Sequence, residues 1–306
     1  MHDRQLSRRA FLQHSSAALA GAALAGTMPA RASAAQAGAG EKAPWPMRMS
    51  TSTVQFSSLS VEKACEQIAA LGFAAVDFWH SGFGCPHLDD IEKRLGAEGL
   101  KDLLAKNKLK LYAFTCYNVG ANNGYPRFAE LLGKAGGGLA VREARYGKVK
   151  DLAAEMKALL EQLKPQLELA EKYNTRIAVE NHGNSLLNSK DSFKAFVELN
   201  SNPRLGVAVA PYHLQAAKIP VEDVIGIAGK QLLFFYAWQN GAGTKQLPGV
   251  GPADFTPWIA ALAKAGYAEY VNPFMHGHPG PDEMAKGLAT ARDYLIECHK
   301  KALAAS

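Results

Sequence analysis

One pattern constrains this chain more than any other: from Met47 onward a short apolar run is followed by a longer amphipathic stretch, and the unit recurs eight times. The short runs are Arg48 to Val54, Ala74 to Trp79, Lys110 to Thr115, Gly138 to Glu143, Thr175 to Asn181, Leu205 to Ala210, Gln231 to Trp238 and Glu269 to Phe274. Most are apolar on both faces, as parallel strands buried beneath helices must be. Helical periodicity marks the stretches between them: Val61 to Leu71, Asp89 to Asn107, Tyr125 to Lys134, Val149 to Tyr173, Lys190 to Asn200, Val221 to Ala228, Ala253 to Ala265 and Asp282 to Ala302. In Val149 to Tyr173 the residues Leu152, Met156, Leu159, Leu160, Leu163, Leu167 and Ala170 form one inward stripe, and Pro165 is placed to bend or split the helix. Eight strand and helix pairs in the 260 residues from Met47 predict an α/β fold, a (β/α)8 barrel. The competing doubly wound sheet lacks its phosphate loop, because Ser50-Thr51-Ser52-Thr53 stands where G-x-G-x-x-G would follow the first strand. No P-loop, G-x-S-x-G elbow or H-E-x-x-H motif occurs.

The first residues belong to a different class of signal. Ser7-Arg8-Arg9-Ala10-Phe11-Leu12, an apolar run from Ala17 to Ala25 and small residues around Ala32-Ser33-Ala34 resemble a twin-arginine export signal with its cleavage site. Residues 1–34 are therefore expected to be a signal peptide, 35–46 a flexible leader and 47–306 a single domain, in a periplasmic or secreted protein. The apolar run is too short for a stable membrane anchor. Removing residues 1–34 takes four arginines and one acid, which lowers the formal charge from +6 to +3. Nothing in that balance calls for a nucleic-acid partner. Cys65, Cys85, Cys116 and Cys298 lack zinc-site spacing, and pairing among them stays open.

Chemistry in such a barrel belongs at the C-terminal ends of the strands. Those ends read Asp77-Phe78-Trp79-His80, Thr115-Cys116-Tyr117-Asn118, Arg142-Glu143, Glu180-Asn181-His182-Gly183, Pro211-Tyr212-His213, Trp238-Gln239-Asn240 and Met275-His276-Gly277-His278. Several histidines thus converge on one face, where imidazole serves as proton carrier, metal ligand or sugar-hydroxyl partner. Glu180 directly follows the apolar run Ile177-Ala178-Val179, a position at which a carboxylate is costly unless it is paired, liganded or solvated in a cleft. Arg142 reads either as an ion-pair partner or as an anchor for an anionic or hydroxyl-rich substrate. Trp79, Tyr117, Tyr212 and Trp238 could stack on a sugar ring or simply pack the rim.

At these strand ends the sequence resembles the xylose-isomerase-like TIM-barrel superfamily, the sugar phosphate isomerase/epimerase group that also holds endonuclease IV-like members. The matching pieces are Ala74-Ala75-Val76-Asp77, Ile177 to Gly183, Gly206 to Val209 with Pro211 and His213-Leu214, Leu247 to Gly251 with Asp254-Phe255, and Ala265-Gly266-Tyr267. The resemblance implies a divalent ion (Mn, Zn or Mg) held by Glu, Asp, His and Glu from strands five to eight. It also implies carboxylates that move a proton beside a carbonyl. Only Glu180 falls on such a ligand position; the others fall on Ala210, around Ala237 or Trp238, and around Asn272 or Pro273. The expected function is an exported isomerase or epimerase acting on a small-molecule carbohydrate, a sugar or keto-sugar, with Glu180 and His213 as catalytic residues. His80, Arg142, His182, Trp238, Gln239 and His276 are the expected substrate-binding residues. A remade metal site from Glu180, His213 and His276 or His278, a lyase or hydratase acting on a keto-glycoside, and a non-catalytic carbohydrate-binding barrel are the alternatives.

Overall fold

The computed structural model describes residues 44–118 and 124–304, so the expected signal peptide and all but three residues of the leader lie outside the described residues. Eight parallel strands, β1 (Arg48–Ser52), β2 (Ala75–Trp79), β3 (Lys110–Thr115), β4 (Gly138–Glu143), β5 (Thr175–Glu180), β6 (Leu205–Val209), β7 (Leu232–Ala237) and β8 (Tyr270–Pro273), close in sequence order with β8 paired to β1. The expected (β/α)8 barrel is the fold observed. Each strand falls inside its sequence-predicted run. The runs tend to overshoot at the C-terminal end, where the chain leaves the sheet to build loops.

The helices are α1 (Val61–Ala70), α2 (His87–Asp90), α3 (Gly96–Asn107), α4 (Tyr125–Lys134), α5 (Leu152–Lys172), α6 (Lys190–Leu199), α7 (Pro211–Ala216), α8 (Val221–Ala228), α9 (Thr256–Ala265) and α10 (Pro281–Ala304). Three departures from the expected pattern matter. The helix expected over Asp89 to Asn107 is divided by a π turn at Ile91–Leu95, ending where Gly96 takes φ +62°. That backbone conformation is open to glycine at no steric cost. Pro165 does not split α5, which runs on through it. Helix α7 was not expected: Pro211 at its start has the fixed φ that a first helical turn accepts, so a segment that reads as loop becomes the mount for His213.

Inside the barrel, small side chains on some strands face large ones on others. Ala75, Ala113, Ala178 and Ala208 face the interior from β2, β3, β5 and β6, and Phe234, Tyr236 and Tyr270 from β7 and β8 fill the space they leave. The interior is a packed core rather than a pore. The register slips by one residue in β3 at Tyr112 and in β7 at Leu233, and the Tyr112 hydroxyl donates to the Leu233 carbonyl at 2.8 Å across the barrel. Gly206 in β6 has no room for a side chain, since a Cβ there would lie 2.3 Å from the Gln231 carbonyl oxygen. The outer faces of the strands pack against the helices in a second, larger apolar cluster.

Trp45, expected in the flexible leader, is held in place. Its indole donates to the Tyr267 carbonyl at 2.6 Å and its own carbonyl is 2.8 Å from His299 Nε2, so the packed chain starts ahead of Met47. All four cysteines are buried and free. Among the described residues no helix is long and apolar enough to cross a membrane.

Candidate active site at the barrel mouth

Strand periodicity aims Glu180 inward. Ile177 and Val179 face the helices, and Ala178 and Glu180 face the barrel interior. Asn181 then clamps β5 to the end of β6, accepting from the Ala210 N–H at 2.7 Å and donating to the Ala210 carbonyl at 3.2 Å. Ser185 accepts from the His182 N–H at 3.2 Å and donates to its carbonyl at 2.8 Å, which fixes the turn carrying that imidazole. His213 rides on α7 immediately beyond β6.

These side chains meet. His182 Nε2 lies 3.7 Å from Glu180 Oε1, and the His182 and His213 rings are 4.7 Å apart. Tyr117, just past β3, donates its hydroxyl to Glu180 Oε2. Burial, with the nearby Asp77 charge second, holds the Glu180 carboxyl well above the usual carboxylate range. Burial also pushes His182 down to about 4 and His213 down to about 3, with neighbouring imidazoles adding to the effect, so both rings are neutral near pH 7. Among the described residues, His182 Nδ1, His213 Nε2 and Trp238 Nε1 are buried without a hydrogen-bond partner. Unpaired buried polar atoms are unusual enough in folded proteins to mark the place for attention.

Beside this cluster opens a cavity of about 360 Å³ whose wall includes Phe83, Tyr117, Arg142, Tyr146, His182 and His276. Below it sits a second carboxyl, in the middle of β2, to which the sequence assigns no role. Asp77 is fully buried and accepts from Ser52 Oγ (2.7 Å), Trp79 Nε1 (2.6 Å) and Thr115 Oγ1 (2.9 Å). Desolvation pushes it up to about 7 against those three donors.

Of the expected substrate-binding residues, His182 and His276 reach the cavity. Arg142 reaches its wall too, but its guanidinium donates to the Glu143 carbonyl (3.1 Å) and to Gln166 (3.1 Å), since the side chain leaves β4 toward α5 rather than the interior. His80 is packed between Phe83 and Phe128, and its Nδ1 caps the next turn by accepting from the Gly82 N–H at 3.1 Å. Gln239 is fully buried and bonds the 247–253 loop, to the Leu247 carbonyl at 3.1 Å and from the Ala253 N–H at 2.7 Å. Trp238 is 2% exposed and stacks on Tyr212 at 4.3 Å, which leaves its ring face no room for a sugar. His278 lies away from the cluster, against Ser57 at 3.2 Å. Tyr117 was singled out in sequence as an aromatic only; its contact with Glu180 spans 63 positions and left no local trace.

The four-ligand set that the family resemblance implies does not fit these residues. Ala210 offers no ligand atom, Trp238 stands where an imidazole is needed, and Asn272 spends its amide on Ser52 at 3.3 Å. What the mouth does contain is a different trio, Glu180, His182 and His213, each with one ligand-type atom and all of these within 4.8 Å of one another.

No protein of curated function matches the sequence. Solved structures share the fold at low identity. The 3-keto-D-glucoside 4-epimerase of E. coli, in its apo form, aligns with TM-score 0.63 and 16% identity, over 81% of this chain and 100% of the epimerase. IolI protein with a bound zinc atom aligns with TM-score 0.67 and 16% identity, over 84% and 99% of the two chains. A D-psicose 3-epimerase crystallised with D-fructose gives 0.60 and 16%, over 84% and 97%. In sequence, residues 65–298, which include β2 to β8, match the xylose isomerase-like TIM barrel family. The closed eight-stranded barrel and that match agree, and the chain belongs to the xylose isomerase-like TIM barrel family.

Proposed function

We propose that the protein is a sugar isomerase or epimerase that moves a proton on the carbon next to a carbonyl of a sugar or keto-sugar. The observation that carries this reading is Glu180: a carboxyl buried at the barrel mouth, protonated more readily than an ordinary glutamate, and touching a phenol and an imidazole. An acid or base works best when its pKa lies near the operating pH, and burial moves a glutamate in that direction. In this scheme Glu180 takes the proton from the carbon acid, and His213 Nε2, buried with no protein partner, gives or takes a proton at the substrate's oxygen. Tyr117 holds the carboxyl in place by donating its hydroxyl to Oε2. His182 and His276 on the cavity wall orient hydroxyls. Return of the proton by Glu180 to the neighbouring carbon is isomerisation; epimerisation would need a proton delivered to the opposite face of the first carbon by a second acid across the cavity. Sugar epimerases built on the same fold support the substrate class. The signal-like residues 1–34 support export, and with it a substrate met outside the cytoplasm.

A carbohydrate-binding barrel without catalysis would stack the sugar on exposed aromatic faces; Trp79 and Trp238 are 1% and 2% exposed, which leaves Tyr146 on the cavity wall, 51% exposed, for that role. The test is proton exchange: incubation of the protein in D2O with a panel of ketoses and 3-keto-glucosides, followed by NMR. Deuterium entering the substrate carbon with wild-type protein, and failing to enter with Glu180→Gln, is the expected result. Exchange that persists in the variant would remove Glu180 from the chemistry.

A further inference from the structure

We infer that Glu180, His182 and His213 form a three-ligand site for a divalent transition ion, remade from residues other than the family's set. Three independent observations carry it. The ligand-type atoms of the trio all lie within 4.8 Å of one another, and the 3.7 Å separation of His182 Nε2 from Glu180 Oε1 is close to the roughly 3.4 Å edge of a tetrahedron with bonds of about 2.1 Å. Among the described residues His213 Nε2 is buried with no partner, so that ring still has bonding capacity to satisfy. Glu180 is 3% exposed and takes part in no Lys or Arg ion pair among the described residues, so its charge lacks the compensation that buried carboxylates ordinarily have.

One carboxylate and two imidazoles suit zinc or manganese, and three protein ligands beside an open cavity are the pattern of catalytic rather than structural sites. The cavity that touches His182 supplies the open side. Asn181 bridges β5 and β6 on both sides of its amide, so the strand ends carrying the ligands are held together without help from the ion. Asn272 and Ala210, at two of the family's ligand positions, stand outside the trio. The inference rests on the proposed function in placing the reaction centre at Glu180; with an ion bound, His182 and His213 would serve as its ligands, and the ion would take over from His213 the polarising of the substrate oxygen. A carboxylate has two oxygens, so holding an ion through the one facing His182 leaves the other, bonded to Tyr117, on the proton's route.

The test is direct metal binding by the full chain after removal of bound metal with a chelator. Mn(II) is titrated and free ion is read by its electron paramagnetic resonance signal; zinc is measured by competition and by elemental analysis of the protein as purified. The expected result is one equivalent bound by wild type, with affinity lowered at least 100-fold in His182→Ala and in His213→Ala and unchanged in His276→Ala. Circular dichroism and thermal melting confirm that each variant is folded, and His182→Asn and His213→Gln replace any alanine variant that is not. Failure of wild type to bind at millimolar ion, or retention of wild-type affinity in both folded histidine variants, overturns the site. Binding without any carbon-proton exchange would keep the metal site and defeat the proposed function; exchange without binding would do the reverse.

Discussion

Asp77 and Glu180 are the same chemical group at nearly the same burial, one leaving β2 and the other β5, and the protein treats them oppositely. Asp77 is surrounded by three side-chain donors, Ser52, Trp79 and Thr115, which share its negative charge and tie β1, β2 and β3 together. Glu180 has a single phenol for support and two neutral imidazoles within reach of its other oxygen. A buried carboxyl whose acceptor sites are filled by its own fold is a structural part. One left short of partners keeps capacity for something that arrives later. The contrast teaches where to look for chemistry in a barrel rich in polar strand ends: polarity alone does not mark the site, but incomplete satisfaction does.

The largest expected effect divides the two carboxyls by activity. Glu180→Gln should lower the rate of carbon-proton exchange by a factor of about 10² to 10⁴, the usual contribution of a positioned acid or base, while thermal stability stays within about 1 kcal/mol of wild type. A variant that exchanges normally would erase the functional half of the comparison. Asp77→Ala should do the converse in stability. Three stranded donors in a buried pocket should cost roughly 3–5 kcal/mol, read as a shift of the urea midpoint. A loss under about 1 kcal/mol would mean the network is not what holds the first three strands together.

The pH dependence sharpens the same contrast. Asp77 has an ordinary value of 3.8 and is pushed up to about 7 in the folded protein, so between those values the native state binds more protons than the unfolded chain. Its contribution to stability is therefore greatest below about pH 4 and declines as pH rises toward 7. Wild type should unfold at lower urea at pH 7.5 than at pH 5 as far as this group is concerned, and Asp77→Asn should flatten that difference. A slope unaltered in Asp77→Asn would assign the pH dependence elsewhere. Thr115→Val is the mildest case. It removes one donor of the three and should cost about 1 kcal/mol in chemical denaturation, with exchange activity retained. An activity loss instead would connect the Asp77 network to the reaction.

Much of the architecture was legible in the linear order of residues. The eight apolar runs became β1 to β8 because a strand buried on both faces needs a local composition that few other elements tolerate. The break at Gly96 and the helix at Pro211 were not read, since each depends on backbone angles that composition does not display. The site was half legible. Glu180 stood out as a charge ending an apolar run, and the strand-end histidines were visible as a group. Which of them share a pocket was not. The sequence offers His276 or His278 as the third ligand beside Glu180 and His213, yet His182 stands there, His278 lies against Ser57, and Gln239 and His80 are spent on loops and turns.

The amino-acid sequence by itself determined the order of strands and helices and the presence of a carboxylate at the end of β5, because these follow from local composition and from the 3.6-residue period of the helices, which act over short distances. Only the closed barrel decided that Tyr117 reaches Glu180 across 63 positions and that His213 swings on α7 to meet His182. Closure sets the distances between strand ends, and loop paths set which side chains meet there. Neither is a local property of the chain, and so the difference between a satisfied Asp77 and an unsatisfied Glu180 exists only in three dimensions.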